Sequence, residues 1–274
     1  MARTPERGKL LNGYRGLRSG LVRGAAGGLI LLLAFALYLR ANPALLRTLL
    51  LALPIPGMVE VPNFGPTPPI PTINVPRGNI PDGYLALNGS AAAGPFGCGF
   101  LLELADGRRV GISAAHATQP LSPQQPAEFH FPDGELAATL TGQIGIGQTF
   151  IQERFDMDYA LWGSRAKPAA PLLEPDPRGG AQPGERIWVF GLGENGSGAS
   201  IRWPGTVMRS SAQAAWLRME DSFDPRGYSG CPAVSQYTGR LVGMAVAGEQ
   251  RAATVIGLHP VGSLVEKAQA ALNQ

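Results

Sequence analysis

The sequence of 274 residues contains only two cysteines and three histidines, which limits the metal sites that it can form. Cys98 and Cys231 are far apart rather than in a C-x-x-C spacing, and the histidines are scattered along the chain. Structural zinc sites use four ligands, usually as closely spaced pairs. The composition therefore argues against a structural zinc site and leaves a single disulfide open.

Basic clusters are also absent beyond the amino terminus. Residues 1–23 hold six bases and one acid, which leaves 17 bases and 19 acids in the rest of the chain. The formal charge of +3 therefore comes from this short tail. Because no later segment combines clustered Lys or Arg with interleaved aromatic residues, we expect no nucleic-acid partner.

Long hydrophobic runs are rare, and the clearest one lies near the amino terminus. Residues 24–39 are uncharged, lie between Arg23 and Arg40, and are followed by more leucine-rich sequence. A membrane-spanning helix needs about 20 apolar residues, and flanking arginines can reach the interface from a shorter one. We interpret residues 24–53 as a retained membrane anchor; a cleaved signal peptide and a buried helix are the alternatives. The basic residues 1–23 then stay in the cytoplasm, and the rest of the chain is exported.

A proline-rich segment follows the predicted anchor. Residues 54–81 contain nine prolines. Proline fixes φ and favours an extended polyproline-II chain that serves as a semi-rigid spacer. We interpret this segment as a stalk.

Helical periodicity is nearly absent from residues 82–274. Short apolar runs alternate with turn signals such as Asp106-Gly107, and the whole chain has 37 glycines and 25 prolines. This pattern predicts an all-β module. Helical spacing returns only at the end, where we expect a short helix over residues 261–273 that is capped by Ser263.

A segment without periodicity divides this module. Residues 166–184 are rich in proline and glycine and read as a linker between residues 82–165 and residues 185–260. The two parts are similar in length, so we expect two β-barrels with a cleft between them.

Residues 191–196 match the pattern G-x-G-x-x-G after an apparent strand. A dinucleotide site requires that such a loop opens a helix within a βαβ unit, whereas another strand-like segment follows here. We therefore predict a hairpin loop at this position.

A serine among glycines marks the candidate nucleophile. Ser229 lies in the sequence GYSGCP, residues 227–232. A serine hydroxyl needs a base that takes its proton and donors that stabilise the resulting oxyanion. Glycines allow backbone N–H groups to approach the reacting carbon closely, so Gly227 and Ser229 are the predicted oxyanion-hole donors.

The candidate base and its carboxylate partner lie beside apolar runs. His116 ends the run GISAAH and is followed by polar residues, a context that His130 and His259 lack. The carboxylate must be held beneath the imidazole to fix its tautomer. Asp158 precedes such a run, and Asp156 is the alternative because it has the same strand parity.

Three sequence blocks occur in the order His, Asp, Ser: SAAH at residues 113–116, DYAL at 158–161 and GYSGCP at 227–232. Together with GCGF at residues 97–100, they resemble the chymotrypsin-like serine peptidases, most closely the bacterial trypsin-like and HtrA-type members. The resemblance extends over about residues 85–270. It implies a double six-stranded β-barrel with these three residues as the catalytic triad.

The resemblance also implies a set of substrate-binding residues. Val246, Ala247 and Gly248 would pair with the substrate backbone. Phe223 and Asp224 would lie at the base of the primary specificity pocket. Phe223 suggests an apolar floor, while Asp224 would favour a basic substrate side chain, and the sequence leaves both open.

Two departures from the family pattern stand next to the nucleophile. Tyr228 occupies a position that is usually Asp or Asn, so we do not expect activation by a salt bridge to a newly cut amino terminus. Cys231 replaces a glycine, and Cys98 lies in the loop that packs near the nucleophile in this fold. The resemblance therefore suggests a Cys98–Cys231 disulfide; two buried thiols are the alternative.

The predicted function is that of a membrane-anchored serine endopeptidase whose peptidase domain lies outside the cytoplasm. Its substrates are proteins or peptides, and it needs no metal or cofactor. A catalytically inactive peptidase-fold protein that binds peptides is the alternative, although no triad member is missing. An α/β-hydrolase esterase is disfavoured because Cys231 replaces the last glycine of G-x-S-x-G and the order of the triad differs.

Overall fold

The fold is that of a computed structural model, which describes residues 60–78, 87–91, 94–118, 126–131, 135–140, 142–148, 153–164, 172–192 and 200–274. The predicted tail at residues 1–23 and the predicted anchor at residues 24–53 lie outside the described residues. Within the described ranges, no helix has the length and apolar character needed to cross a membrane.

Seven antiparallel strands form the first half of the described chain, in the order β5-β4-β1-β2-β3-β7-β6. The strands are β1 (Leu87–Ala91), β2 (Gly94–Glu103), β3 (Arg109–Ser113), β4 (Ala127–His130), β5 (Leu136–Leu140), β6 (Gln143–Ile146) and β7 (Ala160–Ser164). Helix α1 (Ala115–Thr118) follows β3, and a 3-10 helix (Phe155–Met157) precedes β7.

This half differs from the predicted six-stranded barrel by one strand. Gly142, whose φ is +82°, turns the backbone between β5 and β6, so these are two separate strands. β5 pairs with β4, and β6 pairs with β7. Because β5 and β6 stand at opposite edges of the sheet order but are almost continuous in sequence, the two edges must come close together.

Side-chain packing also shows that the first sheet is strongly curled. A Cβ atom on Gly111 of β3 would lie only 2.2 Å from Leu140 Cδ1 of β5. These strands are four positions apart, and in a flat sheet they would be about 19 Å apart at the usual strand spacing. The curl encloses a small apolar core that includes Leu101, Phe129 and Trp162.

The second half is a closed six-stranded barrel in the order β10-β13-β12-β11-β8-β9. Its strands are β8 (Arg186–Leu192), β9 (Ser200–Ser210), β10 (Ala215–Met219), β11 (Pro232–Ser235), β12 (Leu241–Glu249) and β13 (Val255–Pro260). β8 and β9 are antiparallel neighbours, as expected for a hairpin and not for a dinucleotide-binding βαβ unit. Residues 193–196 of the glycine-rich pattern lie outside the described residues.

Helix α2 (Val261–Leu272) follows β13 directly and confirms the predicted carboxy-terminal helix. The predicted cap at Ser263 is wrong. The extended residue Pro260 occupies the N-cap position, so the helix starts as soon as the strand ends. Ser263 lies inside the first turn, where its Oγ accepts a hydrogen bond from Lys267 Nζ at 3.0 Å.

The segment between the two halves is bonded to both of them. Leu173 forms a β-bridge with Leu102 of β2, and Pro175 forms one with Leu241 of β12. Further along, the Arg178 guanidinium lies between the buried carboxylates of Asp176 and Glu185. The described part of the predicted linker therefore fastens the sheet to the barrel.

Part of the predicted stalk, residues 60–78, lies along the second barrel. The Phe64 ring packs against Trp216 of β10 with ring centroids 6.3 Å apart. Further along, Gly184 approaches the Pro69 carbonyl so closely that a Cβ atom would lie 1.9 Å from its oxygen. At the end, the Gly78 N–H donates to the Thr238 carbonyl at 2.6 Å. We call residues 60–78 the strap.

Candidate active site

His116 lies in the single turn of α1, immediately after strand β3. Its backbone N–H donates to Asp158 Oδ1 at 3.1 Å, and its Nδ1 lies 2.5 Å from Asp158 Oδ2. The two contacts fix both the backbone and the ring of His116 against one carboxylate. The imidazole keeps 24% of its side-chain surface exposed, so it faces solvent on the other side.

Asp158 follows the 3-10 helix and is fully buried. The turn that carries it is held by Phe155, whose ring packs edge-on against Trp216 of the barrel with centroids 5.0 Å apart. The alternative carboxylate, Asp156, is instead paired with the Arg154 guanidinium at 2.9 Å. Burial alone would raise the pKa of Asp156, but the hydrogen bonds from Arg154 hold it below its ordinary value.

Ser229 lies in the loop that leads into β11. Two glycines beside it have φ values of +88° at Gly227 and +91° at Gly230, which favour glycine. A Cβ atom on Gly230 would lie 2.0 Å from the Cys98 carbonyl oxygen. The loop therefore packs directly onto β2 of the first half, beside α1.

The hydroxyl of Ser229 lies 2.6 Å from His116 Nε2, so the three sequence-predicted residues are in one hydrogen-bonded series. Because a carboxylate only accepts hydrogen bonds, the proton between His116 and Asp158 belongs to Nδ1. This tautomer leaves the Nε2 lone pair to accept the Ser229 proton. The arrangement is able to deprotonate a serine hydroxyl.

Two backbone donors beside Ser229 are free of bonds to the described parts of the chain. Neither the Gly227 N–H nor the Ser229 N–H donates a hydrogen bond to another described residue. The neighbouring amides are occupied: Tyr228 N–H donates to the Pro225 carbonyl at 3.2 Å, and Gly230 N–H donates to the Ala245 carbonyl at 2.8 Å. The loop thus offers the two amides that the sequence analysis predicts as oxyanion donors.

Tyr228 anchors the nucleophile loop from the side that precedes Ser229. Its hydroxyl accepts a hydrogen bond from the Trp203 indole N–H at 2.7 Å. Its ring lies so close to Gly191 of β8 that a Cβ atom there would be 1.9 Å from Tyr228 Cε1. The sequence marked Tyr228 only as a departure from the family pattern and contained no signal for its contact with Trp203.

A disulfide anchors the loop on the other side. Cys231 is bonded to Cys98 of β2, with Cα atoms 4.9 Å apart, and both residues are fully buried. The Cys98 carbonyl also accepts a hydrogen bond from Ser113 Oγ at 2.7 Å, and the Cys98 N–H donates to the Ser229 carbonyl at 3.1 Å. The disulfide therefore joins the two halves beside the triad residues.

The two residues expected at the base of a specificity pocket lie in different environments. Phe223 is buried and stacks on Trp203 with centroids 4.2 Å apart and planes 13° apart. Asp224 is at the surface and forms an ion pair with Arg226. The hydrogen bond from Arg226 lowers the pKa of Asp224 below its ordinary value. Phe223 thus packs on Trp203 in the interior, whereas Asp224 faces Arg226 and solvent.

The residues expected to pair with substrate lie on β12, close to the nucleophile loop. Val246 is buried and falls at a bulge in the ladder with β13, while Ala247 and Gly248 pair with Gly257 and Ile256. A Cβ atom on Gly248 would lie 2.6 Å from Pro225 Cβ. This part of β12 therefore lines the loop that carries Ser229.

No cluster of three or more Cys, His, Asp or Glu residues within the described ranges is placed to hold a metal ion.

Comparison with known proteins finds similarity among solved structures. No family model and no curated protein matches the sequence. Among solved structures, the chain is similar to kallikrein-related peptidase 10, with a TM-score of 0.51 and 14% sequence identity. The match covers 69% of this chain and 95% of that chain. At this identity the likeness shows the fold alone, and it supports a chymotrypsin-like fold for the chain.

Proposed function

We propose that the protein is a membrane-anchored serine endopeptidase that hydrolyses peptide bonds through an acyl-enzyme. The observation that supports this proposal is the continuous series from Asp158 through His116 to Ser229, with contacts of 2.5 Å and 2.6 Å. The backbone amides of Gly227 and Ser229 belong to the same loop as this hydroxyl and donate to no other described residue.

In the first step, Ser229 Oγ attacks the carbonyl carbon of the scissile bond while its proton passes to His116 Nε2. The imidazolium that forms is stabilised by Asp158, which is buried and needs no reorientation. The negative charge on the substrate oxygen is met by the amides of Gly227 and Ser229. A single donor of this kind typically contributes on the order of 10²- to 10³-fold in rate.

In the second step, His116 returns the proton to the leaving amine, and the C–N bond breaks to leave an ester on Ser229. A water molecule then attacks the ester carbon, and His116 takes the water proton. Collapse of this second intermediate passes the proton to Ser229 Oγ and releases the carboxylic acid product. The exposed face of His116 gives water access to the ring.

The fold comparison agrees with this proposal, since the similar solved structure is named a peptidase. A non-catalytic binding role would not require a base aligned with the serine. The complete series of hydrogen bonds therefore favours catalysis over a peptide-binding module.

We also propose that residues 24–53 anchor the enzyme in a membrane with the peptidase domain outside the cytoplasm. The hydrophobic sequence flanked by arginines supports the anchor. The disulfide between Cys98 and Cys231 supports export, since structural disulfides persist in oxidising compartments.

The proposal is tested by labelling with a fluorophosphonate probe. The whole chain is purified in detergent and then treated with the probe. We expect one labelled site, complete loss of labelling in Ser229→Ala, and a loss of peptide hydrolysis of about 10⁶-fold. Ser222→Ala is the matched control, because this exposed hydroxyl donates only to the Arg251 carbonyl at 2.9 Å. Folded wild-type protein that does not label, or a Ser229→Ala variant that still does, would overturn the proposed function.

A further inference from the structure

A buried histidine outside the triad lies directly behind Asp158. His259 of β13 is fully buried, and its Nδ1 lies 3.2 Å from the Asp158 backbone carbonyl oxygen. A carbonyl oxygen only accepts, so His259 carries its proton on Nδ1 and has a lone pair on Nε2. The described part of the chain offers Nε2 no hydrogen-bond partner.

The contact with His259 completes the hydrogen bonding of the peptide that carries the carboxylate. The Asp158 N–H donates to the Phe155 carbonyl at 3.1 Å. Among the described residues, His259 Nδ1 is the donor to the Asp158 carbonyl, and no backbone N–H takes this role. Because Asp158 is fully buried, loss of that donor would leave its carbonyl oxygen unpaired, which is unfavourable in a protein interior.

The surroundings of His259 favour the neutral ring. Burial lowers the pKa of His259 to about 4, the hydrogen bond to Asp158 opposes this shift, and Lys267 of α2 adds to it. Asp156 and Asp158 are the acidic groups that face the ring and act in the opposite direction. The Tyr159 ring packs edge-on against the imidazole with centroids 6.1 Å apart. The histidine thus stays a neutral donor over the range in which a serine peptidase works.

We propose that His259 is a positioning residue that fixes the Asp158 peptide, and through it the orientation of the His116 imidazole. It does not touch substrate or the reacting atoms. The proposal rests on the proposed function for its kinetic consequence, but the hydrogen bond itself is testable without any substrate.

The tautomer is the first test. Long-range ¹H–¹⁵N correlation spectra of the full-length, histidine-labelled protein should show His259 protonated on Nδ1 and bare on Nε2 at pH 5 and at pH 8. His130→Asn and His259→Asn spectra assign the signals. Protonation on Nε2 alone, or an ordinary histidine titration of this ring, would overturn the proposal even if the wild-type enzyme is inactive.

A matched set of variants is the second test. His259→Asn keeps an amide donor near the position of Nδ1, whereas His259→Leu keeps apolar bulk and removes the donor. We expect His259→Leu to lower kcat about 10- to 100-fold with little change in KM, because small misplacements of catalytic groups have effects of this size. His259→Asn should restore most of kcat, and His130→Asn should behave as wild type.

The NMR resonance of the proton between His116 and Asp158 distinguishes a positioning role from a purely structural one, because a purely structural role of His259 would leave it unchanged. This low-field resonance should shift or broaden in His259→Leu and return in His259→Asn. Equal kcat and an unchanged resonance in folded His259→Leu would overturn the proposal. If His259→Leu does not fold, His259→Gln replaces it. The glutamine amide reaches toward the position of Nε2 and not toward that of Nδ1. Absence of hydrolysis by the wild type would count against the proposed function alone.

Discussion

The two halves of the described chain hold their parts of the candidate site in different ways. In the first half, Asp158 accepts two hydrogen bonds from His116, so the base and the carboxylate are aligned locally. In the second half, Ser229 lies on a glycine loop held by Tyr228 before it and Cys231 after it. Alignment of Ser229 with His116 therefore depends on the contacts that join the halves.

Because of this difference, we expect some substitutions to lower the rate alone and others to lower the rate and the stability together. Changes within the His116–Asp158 pair should lower the rate while the fold persists. Changes at a join, such as the Cys98–Cys231 disulfide, should lower the free energy of unfolding and the rate together, because they release the loop from the first half.

Within the His116–Asp158 pair, the largest effect is expected from Asp158→Asn. The amide would present an N–H group to His116 Nδ1 and favour the tautomer that protonates Nε2, which cannot accept the Ser229 proton. We expect kcat/KM to fall about 10⁴-fold, as measured with a fluorogenic peptide.

Asp156→Asn is the matched control for this prediction, two residues away and bonded to Arg154 rather than to His116. Its kcat/KM should stay within a few-fold of wild type. A similar loss in both variants would show that the turn, and not the carboxylate, is what the rate depends on.

Removal of the disulfide should have the next largest effect. The bridge closes a sequence separation of 133 residues. Cross-links over long loops typically stabilise proteins by about 3–5 kcal/mol. The Cys98→Ala/Cys231→Ala variant should therefore unfold at a clearly lower urea concentration. Its kcat should also fall, because the loop that carries Ser229 is no longer cross-linked to β2.

Reduction of the wild-type protein is the companion measurement. Both cysteines are fully buried, so a reductant should act only after partial opening. An alanine variant with wild-type stability but reduced kcat would mean that the bridge serves the loop alone and does not join the halves.

The sequence was sufficient to predict that His116, Asp158 and Ser229 lie together, because each residue stands in a short block of a known pattern. SAAH, DYAL and GYSGCP carry both the residue types and their order, so distance along the chain did not obscure them. The DYAL context favoured Asp158 over Asp156, although both have the same strand parity, and the contact of Asp158 with His116 agrees with that choice.

Other features had no local signal. The contact of His259 with Asp158 and that of Tyr228 with Trp203 each join residues that are distant in sequence. The sequence of the strap predicts a spacer, because proline indicates an extended backbone but does not indicate the surface against which that backbone packs. The separate environments of Phe223 and Asp224 likewise depend on Trp203 and Arg226.

A pH effect on stability of intermediate size should come from His259. Its pKa is about 4 in the folded protein, against an ordinary value of 6.5. Above pH 6.5 the ring is neutral in both states and contributes nothing to the pH dependence. As the pH falls from 6.5 to 4, the unfolded chain takes up a proton that native His259 does not, so the free energy of unfolding falls by about 3 kcal/mol.

Urea unfolding at pH 7 and at pH 4.5, in wild type and His259→Asn, measures this contribution. The variant should lose less stability than the wild type over that interval. The lowered pKa values of Asp156 and Asp176 change stability only below their ordinary value of 3.8. This range lies outside the interval from pH 4.5 to pH 7. Equal losses in the two proteins would contradict the assignment.

The smallest effect is expected in the strap, and it tests whether the second barrel depends on a segment that precedes both halves. Phe64 packs on Trp216 and lies under the Arg218 guanidinium, 5.8 Å from the ring centroid. Full burial of a phenylalanine is worth about 3–5 kcal/mol on truncation to alanine, and Phe64 is only partly buried. We therefore expect Phe64→Ala to lower the free energy of unfolding by about 1–2 kcal/mol and to speed proteolysis within residues 60–78. Ile70→Ala is the matched control, since Ile70 is 68% exposed in the same strap. If both variants unfold like the wild type, the strap lies on the barrel without stabilising it, and the barrel holds Ser229 in place by its own closed sheet.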